Sequence, residues 1–121
     1  MRSLFIVLPF IMSLFACQAN FTNLDSKTEV YFYKGDTLCN DDGLSLSQVS
    51  AYLTISNVSF TSSTCASITG LAVAAVCGGS TQNIYIHSIN SSDLALAENL
   101  GFIDLSSLPS EEYGYSIKAC Q

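Results

Sequence analysis

The sequence predicts an α+β domain in which a small mixed sheet packs against two helices and two disulfides hold the chain together. Three observations predict this class. Short segments of alternating apolar and polar residues are typical of strands, two segments with helical spacing begin at capping residues, and four of the five cysteines lie in the part of the chain that carries these segments. A chain of 121 residues is long enough for one compact domain and too short for several.

Four strands are predicted before the last one. Residues 29–34 (EVYFYK) are rich in aromatic and β-branched residues, and residues 58–61 alternate so that one face would lie in water. Residues 70–77 (GLAVAAVC) are apolar throughout and lie between glycines, which favours a buried central strand. Residues 83–89 (NIYIHSI) alternate again. The turn residues 78–81 between these last two strands predict a hairpin.

Two helices are predicted from their capping residues. Ser45 and Gln48 have the spacing of a capping box, in which each side chain bonds the backbone of the other, and the apolar spacing carries this helix to about Ser56. Residues 91–93 (SSD) begin the second helix, and Gly101 ends it as the residue that follows the C-cap.

Alternating residues at 113–119 predict the final strand, and residues 103–105 leave room for a short additional one. The predicted order is therefore β-α-β-β-β-α-β. Two helices on a small sheet in this mixed order are typical of an α+β fold, and we interpret the arrangement as a ferredoxin-like variant.

Cysteines 39, 65, 77 and 120 are the four that can form two disulfides in an oxidising compartment. In the predicted fold, Cys39 and Cys65 follow strands that end at the same edge, and Cys77 and Cys120 follow strands that end at the opposite edge. This predicts the bridges Cys39–Cys65 and Cys77–Cys120, although four cysteines allow three pairings and sequence alone does not decide among them. Each bridge is expected to stabilise the fold by roughly 2–4 kcal/mol.

The chain begins like a secretory signal. A single positive residue, Arg2, precedes the uncharged apolar run LFIVLPFIMSLFA at residues 4–16. The run is shorter than the roughly 20 residues that a membrane-spanning helix needs, and Pro9 interrupts it. We therefore expect residues 1–16 to be removed on export.

The end of this run resembles the lipobox of bacterial lipoproteins, in which Leu, a small residue and Ala or Gly precede the cysteine that is lipidated. Leu14, Ala16 and Cys17 match this pattern, whereas Phe15 is bulkier than the pattern prefers. The resemblance implies that Cys17 carries the lipid and anchors the protein to a membrane. The alternative is ordinary cleavage after Ala19, which would release a soluble protein.

These two alternatives define the domain organisation. Residues 1–16, or alternatively 1–19, form the signal, residues 17–27 a polar tether and residues 28–121 a single disulfide-stapled domain. By the sorting pattern of lipoproteins, Gln18 after the cysteine implies the outer membrane of a Gram-negative host. A soluble secreted or periplasmic protein is the alternative localisation.

The charge of the chain limits its partners. Four basic and ten acidic residues give a net charge of −6, which becomes one unit more negative when Arg2 is removed. Nucleic acid is excluded as a partner because binding phosphates needs many cations. The same acidity repels anionic lipid surfaces, so we expect membrane contact only through the lipid anchor.

No cofactor or metal is predicted. The wide spacing of the cysteines and the presence of one histidine argue against zinc. Acidic side chains crowd the loop from Asp36 to Asp42, but Leu38 and Val49 occupy positions where an EF-hand needs oxygen ligands, so a solvated turn is the simpler interpretation. His87 should share an exposed strand face with Tyr85, where a catalytic role is not favoured.

The aromatic residues suggest a binding surface. Tyr31 and Tyr33 share one face of the first predicted strand, and Tyr113 and Tyr115 share one face of the last. If these strands are neighbours, the four side chains form an exposed aromatic patch of the kind used in protein interfaces. We therefore expect a non-catalytic binding or inhibitory module, with an envelope component as partner. A small hydrolase that uses His87 with a carboxylate, or a purely structural envelope component, is the alternative.

Overall fold

The computed structural model describes residues 26–40, 42–70, 75–108 and 114–120. The strands are β1 (Lys27–Tyr33), β2 (Phe60–Thr69), β3 (Asn83–Asn90), β4 (Ile103–Asp104) and β5 (Gly114–Lys118), and the helices are α1 (Leu46–Ile55) and α2 (Leu94–Asn99). Single 3-10 turns follow β3 and β4. The strands form one sheet in the order β4-β1-β3-β2-β5, and every neighbouring pair is antiparallel. The α+β class with two helices is confirmed, although the sheet is antiparallel throughout rather than mixed.

Local signals place both helices correctly, although residues 91–93 form a 3-10 turn and none of their side chains caps α2. The Ser45 hydroxyl accepts a hydrogen bond from the Gln48 backbone N–H at 3.1 Å, and the Gln48 side chain accepts one from the Ser45 N–H at 2.8 Å. At the end of α2, Gly101 adopts a φ of +102°, which an L side chain rarely adopts. Phe102 then donates its backbone N–H to Ala97 at 3.1 Å, so the chain turns back over the helix.

The predicted strand at residues 70–77 is where the expected order is wrong. Its described residues, Gly70 and residues 75–77, are exposed and belong to no strand, and residues 71–74 lie outside the described residues. The strand before β3 is instead β2, the segment FTSSTCASIT, of which only the first two residues were included in a predicted strand. The observed order is β-α-β-β-α-β-β, because this polar strand takes the place that the apolar run was expected to fill.

The structure describes only the last two residues of the predicted tether. Residues 1–16 and 17–25, with Cys17, lie outside the described residues. Two residues of the predicted tether, Ser26 and Lys27, are part of the fold: Lys27 begins β1, and the Ser26 carbonyl accepts the backbone N–H of Ser91 at 2.8 Å.

Both faces of the sheet are covered at their centres. On the helix side, α1 and α2 bury a cluster comprising Val30, Val49, Leu53, Val58, Cys65, Tyr85, Ile89, Ala97 and Phe102. On the other side, a smaller cluster comprises Tyr31, Ala66, Ile68, Ile84, Ile86 and Leu105, with Ile103 and Leu108 packed against it. The central strand β3 contributes to both clusters through alternate residues, which is why it is buried along most of its length.

The two disulfides are Cys39–Cys77 and Cys65–Cys120, so the predicted pairing is wrong. Cys65 lies inside β2 opposite Lys118, which brings it beside Cys120 just after β5. The turn that carries Cys77 pairs with the loop that carries Cys39: Leu38 donates to Gly79, and Gly78 donates to Leu38, each at 2.9 Å. The presence of two disulfides indicates an oxidising environment, periplasmic or extracellular.

Candidate binding surface

The sheet has one face that packs against neither helix, and this helix-free face carries most of the exposed aromatic and β-branched side chains of the sheet. Its members follow from the register, because directly opposite residues of an antiparallel pair lie on the same face. Its aromatic, aliphatic and threonine members are Tyr31, Tyr33, Thr64, Ala66, Ile68, Ile84, Ile86, Tyr115 and Ile117. Leu105 and Leu108 cover the part of this face nearest to β4.

The predicted patch of four neighbouring tyrosines does not form. Strands β1 and β5 are separated by β3 and β2, so three inter-strand spacings, about 14 Å, lie between them. Tyr31 is buried, and its ring meets that of Tyr33 edge to face at a centroid distance of 5.7 Å. Tyr113 lies outside the described residues. The expectation was wrong because it required the first and last strands to be adjacent.

A row of directly opposed residues nevertheless connects the two outer parts of this face. Tyr33 lies opposite Ile84, Ile84 lies opposite Ala66, and Ala66 lies opposite Ile117. Tyr33 is 41% exposed and Ile117 is 70% exposed, whereas the two residues between them are buried. Because the side chain of Ala66 is small, the protein surface is lower in the middle of this row than at its two exposed apolar ends.

Tyr115 lies two residues before Ile117 in β5, and it is therefore the neighbour of Ile117 on the same face of the sheet. It lies opposite Ile68 and is itself 41% exposed. Together, Tyr33, Tyr115 and Ile117 form what we call the apolar row. Exposed aromatic and branched side chains that are held on a sheet have little conformational entropy left to lose on binding, which is the property that interface anchors need.

The phenol of Tyr31 remains neutral at physiological pH. Burial, followed by the neighbouring Tyr33, raises the pKa of Tyr31 to about 12. Two described charges share the β1 part of the face, Lys27 and Glu29, and both are exposed. The surface is thus apolar, with one basic and one acidic residue at its β1 margin.

His87 is placed differently from the sequence expectation. It is fully buried on the helix side of β3, and the rings of Phe60 and Phe102 meet it edge to face at 5.0 and 5.9 Å. The prediction that it lies on an exposed face was wrong because α1 covers this face of the strand. Its Nε2 is 2.8 Å from the Ser50 hydroxyl of α1.

The pair of Ser50 and His87 resembles part of a nucleophilic site, but its electrostatics oppose catalysis. Burial lowers the pKa of His87 to about 4, so the imidazolium that a general base must form is disfavoured. Among the described residues, no group bonds the other ring nitrogen, Nδ1, where a catalytic triad places a carboxylate. The hydrogen bond therefore acts mainly to fix α1 against the sheet.

A second polar cluster lies at the end of the sheet near the disulfide loops. Asp36 accepts hydrogen bonds from Thr81 and from Asn83, the latter at 2.8 Å, and its carboxylate is 3.8 Å from the Lys34 ammonium. Burial alone would raise the pKa of Asp36, but these hydrogen bonds and the lysine outweigh it and lower the pKa below its ordinary value. Lys118 donates to the Asn83 side chain from the other side. The cluster is satisfied internally and joins the loop after β1 to β3 and β5.

In the acidic loop after β1, the Asp42 carboxylate likewise forms hydrogen bonds within the loop itself. The Asp42 carboxylate accepts the Thr37 backbone N–H at 2.7 Å and the Thr37 hydroxyl at 2.6 Å, and these bonds lower the pKa of Asp42. In the part of the chain that the structure describes, no three His, Cys, Asp or Glu side chains are grouped as a metal site would require.

No protein family, curated protein or solved structure matches this chain. Within the described ranges, no helix has the length and apolar character needed to cross a bilayer.

Proposed function

We propose that this protein is a small exported, non-catalytic binding or inhibitory module that contacts its partner through the helix-free face. The apolar row carries the proposal: Tyr33, Tyr115 and Ile117 are exposed on one rigid face of a disulfide-stapled sheet. Aromatic anchors of this kind contribute a large share of the binding energy in protein interfaces. The partner is a protein or another envelope component.

The charge of the chain favours a basic partner. A net charge of −6, more negative after signal removal, attracts positively charged surfaces and speeds encounter with them. A basic enzyme that the module inhibits or protects against is one such partner. Nucleic acid does not fit the same charge, and the net negative charge also disfavours contact of the domain with anionic lipids.

The test is affinity capture from envelope extract at low and high salt, followed by binding measurements with the purified partner. Tyr33→Ser should weaken binding at least about tenfold, whereas Tyr52→Ser is the matched control, since Tyr52 is 37% exposed but lies on α1. Equal loss in both variants would contradict the surface assignment. Retention that does not change with salt would contradict the electrostatic part of the proposal.

The anchor belongs to the same proposal. Lipidation of Cys17 would hold the domain at a membrane, and in a Gram-negative host Gln18 favours the outer membrane. The intact mass of the exported protein decides: acyl chains on a product that begins at Cys17 support the anchor, and a product that begins at Asn20 means a soluble protein. Alkylation before and after reduction should reveal four thiols only after reduction.

A finer description of the fold is also proposed: the domain is a ferredoxin-like variant with an added edge strand. The support is the order of the first six elements, β-α-β-β-α-β, with their strands arranged 4-1-3-2 in the sheet and β5 added beside β2. An experimental structure with this strand order and right-handed crossovers would support the description, and left-handed crossovers would refute it.

A small hydrolase is the second candidate, and the 2.8 Å contact between Ser50 and His87 is the observation that favours it. Ser50 lines an open groove between α1 and the start of β2, together with Ser47, Thr54 and Phe60. A hydrolase predicts that a fluorophosphonate labels Ser50 and that Ser50→Ala abolishes the labelling. Absence of labelling in the folded wild-type protein would remove this candidate.

A further inference from the structure

The free edge of β5 is the longest open strand edge among the described residues, because the opposite edge strand, β4, has only two residues. All five residues of β5 are exposed, so no part of the chain that the structure describes packs closely over this strand. An unpaired edge presents backbone N–H and C=O groups that can bind another strand. Proteins usually block such edges with a proline, a bulge or an outward-pointing lysine.

None of these devices is present in the described part of β5. Its pairing with β2 runs without a bulge from Gly114 to Lys118, and the segment GYSIK contains no proline. Its one lysine, Lys118, donates instead to Asn83 of β3 and so is drawn back across the sheet. The exposed apolar side chains of this edge strand are Ile117, which is 70% exposed, and Tyr115, which is 41% exposed.

We propose that β5 pairs with β5 of a second copy of this chain, so that two five-stranded sheets join into one continuous antiparallel sheet. The proposal is independent of the partner proposed above. A two-fold axis at Ser116 pairs this residue with itself, Tyr115 with Ile117 of the second copy and Gly114 with Lys118 of the second copy.

The register of this pairing is self-complementary in three respects. In a pairing centred on Ser116, paired residues are an even number of positions apart in the sequence. The backbone N–H and C=O groups of such residues point to the same side of the strand. The groups that face away from β2 in one copy therefore meet the equivalent groups of the second copy. On the helix-free face, each Ile117 meets an aromatic ring, which is a favourable cross-strand pair. The long Lys118 side chain meets a glycine, which leaves room for it.

No like charges meet directly across the joined strands. The two Lys118 residues would lie about 14 Å apart, beyond the Debye length of about 8–10 Å in physiological salt. No acidic residue lies in β5, so the negative charge of the domain is not concentrated at the joined edge. The apolar row would also be extended, because Ile117 at the end of one sheet would be followed by Tyr115 and Ile68 of the second copy.

Cross-linking in the exported full-length protein tests the proposal. Ser116→Cys places two thiols at a Cα separation of about 4.5–5.5 Å across the two-fold axis, within the range that a disulfide spans. We expect a reducible dimer on a non-reducing gel. Ser59→Cys, which introduces a thiol at an exposed position outside β5, is the matched control and should remain monomeric.

A second substitution separates this interface from random contact. Adding Ile117→Lys to Ser116→Cys would bring the two introduced lysines to about 8 Å and should lower the dimer yield at least about tenfold. Adding Ile55→Lys instead should leave the yield unchanged, because Ile55 is 79% exposed but lies on α1. Equal cross-linking of the two cysteine variants, absence of the dimer, or equal effects of the two lysines would each overturn the proposal.

Discussion

Acidification from pH 7 to pH 5 should lower the free energy of unfolding by about 2 kcal/mol, and His87 should account for most of this loss. The side chain is fully buried, and burial lowers its pKa from 6.5 to about 4. In the unfolded chain His87 binds a proton below about pH 6.5, whereas in the folded protein it stays neutral down to about pH 4. The unfolded state therefore binds more protons in this window, and stability falls as the pH falls.

The magnitude follows from the two pKa values. A difference of about 2.5 units corresponds to a limiting loss of roughly 3.4 kcal/mol well below pH 4, at 1.36 kcal/mol per unit. At pH 5 the unfolded state is almost fully protonated and the folded state is not, so about 2 kcal/mol of this loss has developed. For a small domain with a stability of about 5–10 kcal/mol, such a loss is readily measured.

Urea unfolding of the disulfide-intact protein at several pH values between 7 and 5 is the assay. The chain has one histidine, so this window is specific for His87 among the side chains with ordinary pKa values. His87→Gln should be less stable but should show little pH dependence in the same range. Ser50→Ala is the control that keeps the buried imidazole, so it should retain the pH dependence.

Two results would refute the reasoning. One is an unchanged pH dependence in His87→Gln, which would assign the loss to other groups. The other is a folded-state imidazole resonance that titrates near pH 6.5 in NMR spectra, because a histidine with that pKa would be accessible to water.

Three further predictions concern the loops and the edge strand. Gly43→Ala should lower the free energy of unfolding by about 3 kcal/mol or more in chemical denaturation, because a Cβ there would lie 2.8 Å from two backbone atoms; Gly35→Ala, also at positive φ but with open space around it, should cost only about 1–2 kcal/mol. Replacing Cys65 and Cys120 by serine should cost about 4 kcal/mol in the same assay and remove hydrogen-exchange protection from β5; unchanged protection would contradict the role of the bridge. Asp36→Asn should reduce the loss of stability that is measured below about pH 4. The pKa of this carboxyl is lowered in the folded state, so the wild-type protein loses stability as the carboxylate becomes protonated. The same loss of stability below about pH 4 in the variant and the wild type would contradict this.

Features that depend on neighbouring residues could be predicted from the sequence. The capping box at Ser45 and Gln48 and the end of α2 at Gly101 are both present as expected. These signals are local because a cap needs only a side chain and the backbone three residues away, or one residue that tolerates a positive φ. The short strand β4 at Ile103 and Asp104 was recognised for the same reason, since it follows directly on the turn after α2.

Features that depend on strand order could not be predicted in this way. The segment TSSTCAS in β2 is polar and lacks a clear alternation, so its sequence does not indicate a strand. The neighbouring apolar run at residues 70–77 has the composition of a buried strand, and the strand was therefore predicted there. Misplacing this strand also moved the expected position of Cys65, and the disulfide pairing and the tyrosine patch were wrong as a result. The burial of His87 was missed for a related reason, because alternation shows which residues share a face but not which element covers that face.

The edge strand β5 shows why the observed disulfide pairing matters for the proposed surface. All five of its residues are exposed, so burial of apolar groups contributes little to holding it against β2. Its backbone ladder is short, and a short edge strand held by hydrogen bonds alone opens easily. The Cys65–Cys120 bridge at its end removes much of the entropy that such opening would gain. The bridge therefore allows Tyr115 and Ile117 to remain exposed and yet fixed in position, and both the proposed binding face and the proposed pairing of two copies require this combination.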